Sequence, residues 1–197
     1  TIINCAGYPR IRNCEINKKK SFKLNVKTTK NLVDEMIAQE KKNMKKVKLI
    51  QISSDAVYSS LKGNYKEIDK CKPKSYYGFC KLQSEKIVKK LSNYLIIRTR
   101  FFNKKKIQYI DAAVDIYSSM LEVEKLVKYI FLLEKKRIIG IINVGKKSES
   151  DFNNIKRFNK NIKKTSRKSI SKNSLVFITK DASMNLKKLN KIISKNV

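Results

Sequence analysis

Short apolar runs alternating with segments of helical period restrict the fold of this chain more than any other feature. Thr1 to Ala6 (TIINCA), Val47 to Ser54 (VKLIQISS), Tyr94 to Thr99 (YLIIRT) and Ile138 to Val144 (IIGIINV) are four such runs. Apolar runs of this length between polar or glycine-containing stretches read as buried strands. Between the first two, Phe22, Val26, Thr29, Val33, Met36 and Ile37 recur at helical spacing from Ser21 to about Lys41, with a lysine-rich outer face. Cys80, Ser84, Ile87, Val88 and Leu91 mark a second helix from about Tyr76 to Leu91. Ser119 with Glu122 makes a capping-box signature ahead of a strongly apolar third helix, LEVEKLVKYIFLLEK. A last helix, around Ser183 to Ser194, sets Leu186, Leu189, Ile192 and Ile193 to pack back on the body. Strand alternating with helix specifies an α/β class: a parallel sheet with helices on its faces. Residues 103 to 118 have no clear pattern, and the basic stretch from about Lys146 to Asn173 reads as a solvated loop with a surface helix.

Composition removes several chemistries. The chain has 197 residues and no histidine, so no imidazole base, no Ser-His-Asp or Cys-His pair and no histidine-bearing zinc site is available. With 47 Lys and Arg against 16 Asp and Glu the net charge is +31, but 40 of those 47 cations are lysines. A base-reading protein favours Arg for bidentate contacts. The charge therefore reads mainly as lysine drift in an Ile-, Asn- and Lys-rich sequence, and nucleic-acid binding is expected to be non-specific only. Five glycines make about 2.5% of the chain, against roughly 7% in an average protein. No GxGxxG, GxxGxxG or Walker loop is present. The four cysteines, Cys5, Cys14, Cys71 and Cys80, match neither a zinc knuckle nor a redox CxxC, so no metal is expected; free buried thiols in a reducing cytoplasm are. No apolar run approaches the roughly 18 residues of a membrane span.

Without histidine, acid–base work falls to Tyr, Lys, Cys or a carboxylate. A lysine one helical turn after a tyrosine shares its face and can stabilise the phenolate. Two YxxxK matches occur, Tyr58/Lys62 and Tyr77/Lys81, about the number chance predicts in so lysine-rich a chain. Context separates them: Tyr58 and Lys62 fall in a polar loop around Gly63, whereas Tyr77 and Lys81 open a predicted helix. A strand ending in Ser53-Ser54-Asp55 precedes the second pair by about twenty residues, and a strand ending in Arg-Thr follows it.

That order of pieces resembles the extended short-chain dehydrogenase/reductases, and within them most closely the dTDP-4-dehydrorhamnose reductases and related nucleotide-sugar reductases. IINCAGY is similar to the family's fourth strand and the loop under the nicotinamide, and FKLNVKTTKNL to its helix with a characteristic Asn, here Asn25. LIQISSDAVYSS is similar to the strand bearing the catalytic Ser or Thr, here Ser54. KPKSYYGFCKLQSEKIV resembles the P-x-x-x-Y-G-x-x-K-x-x-x-E segment, with Pro73, Tyr77, Gly78, Lys81 and Glu85. LIIRTRFF, GIINVG and DASMNLKKLNKI resemble the strand reaching the substrate and the C-terminal portion.

The resemblance implies a Rossmann-like parallel sheet with flanking helices and a small C-terminal substrate-side portion. It divides the chain into residues 1–102, a partial NAD(P)-binding domain, and residues 103–197, a reduced substrate-side region. It implies NADPH- or NADH-dependent reduction of a 4-keto nucleotide sugar. Tyr77 would protonate the C4 oxygen; Lys81 would hold the nicotinamide ribose and lower the Tyr77 pKa; Ser54 would hydrogen-bond the carbonyl. Ala6, Gly7 and Tyr8 would line the cofactor, with Gly7 letting the backbone approach closely, and Asp55 and Phe101 would join Ser54 at the substrate. Beside these stand plainer readings: Ser54 and Asp55 capping a turn, Asn25 linking backbone segments, Phe101 as core, and Tyr77 with Lys81 as a relic pair. The chain opens inside its first apolar run, so the expectation is an N-terminally truncated relative lacking two βα units, roughly sixty residues, and with them the phosphate loop. Implied partners are a nucleotide sugar, and either a second copy or the missing half. A non-catalytic binding relative, like the regulatory β-subunit of methionine adenosyltransferase, is the alternative; a basic polyanion-binding module is a third.

Overall fold

The computed structural model describes residues 1–44, 46–107, 109–172 and 174–194. Strand β1 (Ile2–Asn4) leads into helices α1 (Ile11–Ile16) and α2 (Lys18–Phe22), then a π-helical turn at Lys23–Lys27 and helix α3 (Thr28–Asn43). The pattern from Ser21 onward foresaw this last stretch as one helix, whereas α1 carries no apolar period that would announce it. Strand β2 (Leu49–Ile52), helix α4 (Tyr76–Val88) and strand β3 (Tyr94–Thr99) follow close to their sequence-based bounds, with a 3-10 turn (Asp55–Val57) after β2 that the sequence pattern does not mark.

Beyond residue 100 come the short strands β4 (Phe101–Phe102), β5 (Asp111–Ala113), β6 (Tyr117–Ser118) and β7 (Leu121–Glu122), then helix α5 (Val123–Lys135) and strand β8 (Gly140–Val144). Strand β9 (Glu149–Ser150), α6 (Asp151–Lys156), β10 (Lys163–Thr165), α7 (Arg167–Lys172) and α8 (Lys187–Ser194) complete the order. The stretches 103–118 and 146–172 are thus not simple loops: β5 pairs with β10, and β6 with β9. The capping box is not formed. Helix α5 begins at Val123 with no side-chain cap, and the Ser119 hydroxyl instead accepts the Met184 N–H at 3.0 Å.

The central sheet is four-stranded and parallel in the order β1-β2-β3-β8, so its fourth strand comes from beyond residue 102. Alternation of side chains divides its core into two layers. Ile50, Ile52, Leu95, Ile97, Ile142 and Val144 pack against Leu126, Ile130 and Leu133 of α5 and Leu189 of α8. On the other face Leu49 and Ile96 meet Val33 and Met36 of α3 and Val88 of α4. Leu186, Ile192 and Ile193 join the first layer, as the spacing of the last helix predicts. Burial on both faces explains why the strands read as continuous apolar runs rather than as alternating ones. At the β1 edge Ile2 and Ile3 remain exposed.

All four cysteines are free thiols, but only Cys14 and Cys80 are buried; Cys71 is half-buried and Cys5 exposed. Among the described residues no cluster of Cys, Asp and Glu could hold a metal, and no helix is long and apolar enough to cross a membrane.

Candidate active site

A cleft of about 540 Å³ opens at the C-terminal ends of β1, β2 and β3. Open parallel sheets place ligand sites at this end of their strands. Cys5, Ala6, Gly7 and Tyr8 line it from the loop after β1, Ser53 to Ala56 from the turn after β2, and Tyr77 and Lys81 from α4. Phe101, 47% exposed, forms another wall. Every residue singled out in the sequence for cofactor, substrate or chemistry therefore reaches one cavity.

Helix α4 is aimed by its N-terminus. Ser75 caps it by accepting the Gly78 N–H at 3.1 Å. Gly78 is required where it stands: a Cβ there would overlap the Ala56 carbonyl and lie 3.1 Å from Pro73 Cβ. Pro73 and Gly78 thus let α4 press against the Asp55–Val57 turn, which sets Tyr77 beside Ser54. One turn further on, Lys81 is 7% exposed and its Nζ donates to the Ile52 carbonyl at 2.6 Å. Another turn on, Glu85 accepts from Ser53 Oγ at 2.6 Å and from Arg98 at 2.7 and 3.0 Å, fastening the helix to the ends of β2 and β3.

The loop after β1 is held by Asn25 of the π-helical turn. Its Oδ1 accepts the Tyr8 N–H at 2.9 Å and its Nδ2 donates to the Tyr8 carbonyl at 3.2 Å. Asn25 therefore links backbone segments. Gly7 serves the same clamp: a Cβ on it would stand 2.9 Å from Asn25 Oδ1, so the close approach that glycine permits here is to this side chain. Ser54 also takes the turn-capping role, accepting the Ala56 N–H at 3.1 Å while donating to Asp55 Oδ1 at 3.1 Å.

The electrostatics differ from the sequence expectation in one respect. Burial, reinforced by the Asp55 carboxylate, pushes the Tyr77 phenol up to about 12 against a hydrogen bond from Ser54. Burial also brings the Lys81 ammonium down to about 8, with Glu85 opposing. The lowering of Tyr77 by Lys81 is absent because the Lys81 Nζ is turned to the Ile52 carbonyl, and burial and a carboxylate both disfavour the phenolate. Asp55 is raised by burial, opposed by Arg100 and Ser54.

Arg100 was not singled out in the sequence. It lines the cleft and faces Asp55 and, at 3.8 Å, Asp151. A second charged residue two positions after Arg98 at a strand end is its only sequence signal. Thr179 and Ala182 reach the same wall from the segment before α8, with no local signal at all.

The sequence profile of the family described as the RmlD substrate binding domain matches residues 1–124. The chain belongs to this family. The RmlD-type fold is equally plain in solved structures. A hypothetical dTDP-4-dehydrorhamnose reductase from Sulfolobus tokodaii superposes with a TM-score of 0.81 at 27% identity, over 98% of this chain and 74% of that one. The dTDP-4-dehydrorhamnose reductase of Bacillus anthracis, solved with NADP, gives 0.81 at 22% identity over 96% and 73%. MoeE5, solved with UDP-glucuronic acid and NAD, gives 0.78 at 14% identity over 98% and 72%. No curated protein sequence matches the chain.

Proposed function

We propose that this RmlD-type chain carries the catalytic half-site of a reductase acting on a 4-keto nucleotide sugar with NADPH or NADH. The observation that carries the reading is the convergence of Ser54, Tyr77 and Lys81 in one cleft at the C-terminal ends of parallel strands. The lining fits the nicotinamide-ribose end of such a cofactor. Lys81 spends one of its three N–H donors on Ile52, leaving two for ribose hydroxyls, while Asn25 clamps the backbone at Tyr8 and Asn4 Oδ1 accepts the Ala6 N–H on the same loop. A bound reduced nicotinamide supplies the hydride.

The chain's own residues supply the rest. Ser54 Oγ donates to the C4 carbonyl and fixes its approach, its single proton turning there from Asp55 Oδ1. Tyr77 Oη passes its proton to that oxygen as C4 is reduced, and the neutral phenol at neutral pH is the donor form this direction requires. Lys81 below pH 8 stays an ammonium and binds ribose. Asp55 borders the sugar subsite, and Phe101 offers it an aromatic face. The free thiols suit a reducing cytoplasm.

The test is NADPH oxidation with a dTDP-4-keto-6-deoxy sugar. Tyr77→Phe is expected to lower turnover by about 10²- to 10⁴-fold, the usual worth of a positioned general acid, with cofactor binding unchanged. Unchanged turnover sinks the role of Tyr77. Nucleotide-sugar binding without any hydride transfer by the wild type replaces the reductase with the non-catalytic alternative.

A further inference from the structure

Outside the cleft, one hollow gathers positive charge without a carboxylate to offset it. It measures about 730 Å³ and is lined by Asp115, Arg167, Lys168, Ser171, Lys172 and Lys180. The pairing of β5 with β10 brings these residues together. Asp115 follows β5 and Arg167 follows β10, and Asp115 Oδ1 accepts the Arg167 backbone N–H at 2.6 Å. On α7, Arg167 stands one turn from Ser171 and Lys168 one turn from Lys172, so the four occupy adjoining stripes of one helix. The returning chain closes the hollow. The Ile178 carbonyl accepts from Arg167 Nε at 3.1 Å. Lys180 is fixed at both backbone groups: its N–H donates to the Ser60 carbonyl at 2.9 Å, and its carbonyl accepts the Tyr117 N–H at 3.0 Å.

The charges here are unbalanced. Among the described residues none of the four cations forms an ion pair, and the Asp115 carboxylate is already committed to backbone. The hollow at the end of β8 is also lysine-lined, but there Lys125 pairs with Glu122 at 3.1 Å and Lys146 with Glu149 at 3.0 Å. Like charges gathered in a concavity repel one another and concentrate anions. Arg167 sets the kind of anion. Its guanidinium has five N–H donors; Nε is used on Ile178, which leaves four on the two Nη atoms, the planar fork that matches phosphate. Ser171 adds a hydroxyl donor. No aromatic side chain lines the hollow, so neither a base nor a sugar ring finds a face to stack on.

We propose that this hollow is a binding site for a linear oligophosphate, with the Arg167 fork on one phosphoryl group and Lys168, Lys172 and Lys180 around its neighbours. The site does not rest on the reductase reading. Thr179 lines the cleft and the next residue, Lys180, lines the hollow, so one stretch of chain forms the wall between the two. The phosphates come either from a nucleotide reaching over that wall or from a free oligophosphate, and the chemistry that holds them is the same.

The experiment is calorimetric titration of the whole chain with inorganic tripolyphosphate at about 0.15 M salt, where diffuse surface charge is largely screened. The wild type is expected to bind at one site. Lys168→Gln/Lys172→Gln/Lys180→Gln is expected to abolish binding, and Arg167→Gln to weaken it about tenfold or more, the worth of a charged hydrogen bond. The control is Lys19→Gln/Lys27→Gln/Lys86→Gln, which removes the same charge from exposed positions outside the hollow and is expected to keep the affinity within about twofold. The exposed lysine variants keep the test open should Arg167→Gln not fold. Absence of tripolyphosphate binding by the wild type, or equal loss in both triple variants, overturns the proposal. So does a single-stranded oligonucleotide that needs the three lysines while tripolyphosphate does not bind.

A competition separates the sources. If dTDP displaces tripolyphosphate and loses affinity in the Lys168/Lys172/Lys180 variant, the phosphates are those of a nucleotide; if the two bind together, they are those of a free oligophosphate. Neither titration needs turnover. A chain that oxidises no NADPH yet binds tripolyphosphate through these lysines loses the reductase reading and keeps the site, and an active chain without that binding does the reverse.

Discussion

Tyr58 and Tyr77 each stand four residues before a lysine, and burial raises both phenols to about 12, yet the regions around them are built to opposite ends. Tyr58 is fully buried and stacks on Tyr65, with ring centroids 4.6 Å apart. Its hydroxyl donates to Asn143 Oδ1 and accepts from Arg98 Nη1, both at 2.9 Å. Every direction around that oxygen is taken by protein. Lys62 turns outward, 66% exposed, toward Asp69 at 3.3 Å. Tyr77 has Ser54 on one side and the cleft on the other, and Lys81 is turned inward. The difference teaches that the motif spacing does not make a site. What does is a hydroxyl left with an open side, on a helix that also buries its lysine.

The difference is sharpest at the two lysines. Below pH 8 the folded chain carries a buried Lys81 ammonium whose ordinary pKa is 10.5, a cost of roughly 3 kcal/mol. Because the folded pKa is lowered, the unfolded chain binds more protons between pH 8 and 10.5, so stability contributed at Lys81 rises with pH across that window. Urea unfolding at pH 7 and pH 10 is expected to show this rise in the wild type relative to Lys81→Met; parallel curves for the two proteins would mean that Lys81 is not desolvated. Tyr58→Phe comes next. It strands the buried Asn143 Oδ1 and removes one acceptor from Arg98, a loss of about 1–3 kcal/mol, read as a lower denaturation midpoint at unchanged slope. The same substitution at Tyr77 is expected to cost little stability, and equal losses at both sites would break the contrast. Smallest is Lys62→Ala, expected to leave the midpoint and any activity where they were, since an exposed pair contributes little.

How much of this was legible depended on the range of the forces involved. The strand Tyr94–Thr99 and the start of α4 at Tyr76 were readable because burial of neighbouring residues writes itself into local pattern. The pairing of β5 with β10 joins residues about fifty positions apart through backbone bonds, which leave no mark on side-chain choice. Ser119 misled for a related reason. Its sequence suits a cap, but the Met184 N–H, brought near by the chain's return, competes for the hydroxyl and wins. In the cleft, Ser54, Tyr77 and Lys81 were legible from ordered motifs, whereas Arg100, Thr179 and Ala182 were not.

By itself the sequence determined the α/β class, the order of the main strands and helices, and which Tyr-Lys pair rides on a helix, because each follows from periodicity within a few residues. Tertiary structure alone decided the chemistry of the pair. Spacing puts Lys81 one turn from Tyr77, but only the packing of α4 on the Asp55–Val57 turn turns the ammonium to Ile52 and sets the phenol in the cleft, where burial governs it. Desolvation and the direction of a hydrogen bond are properties of three-dimensional surroundings, and no spacing along the chain encodes them.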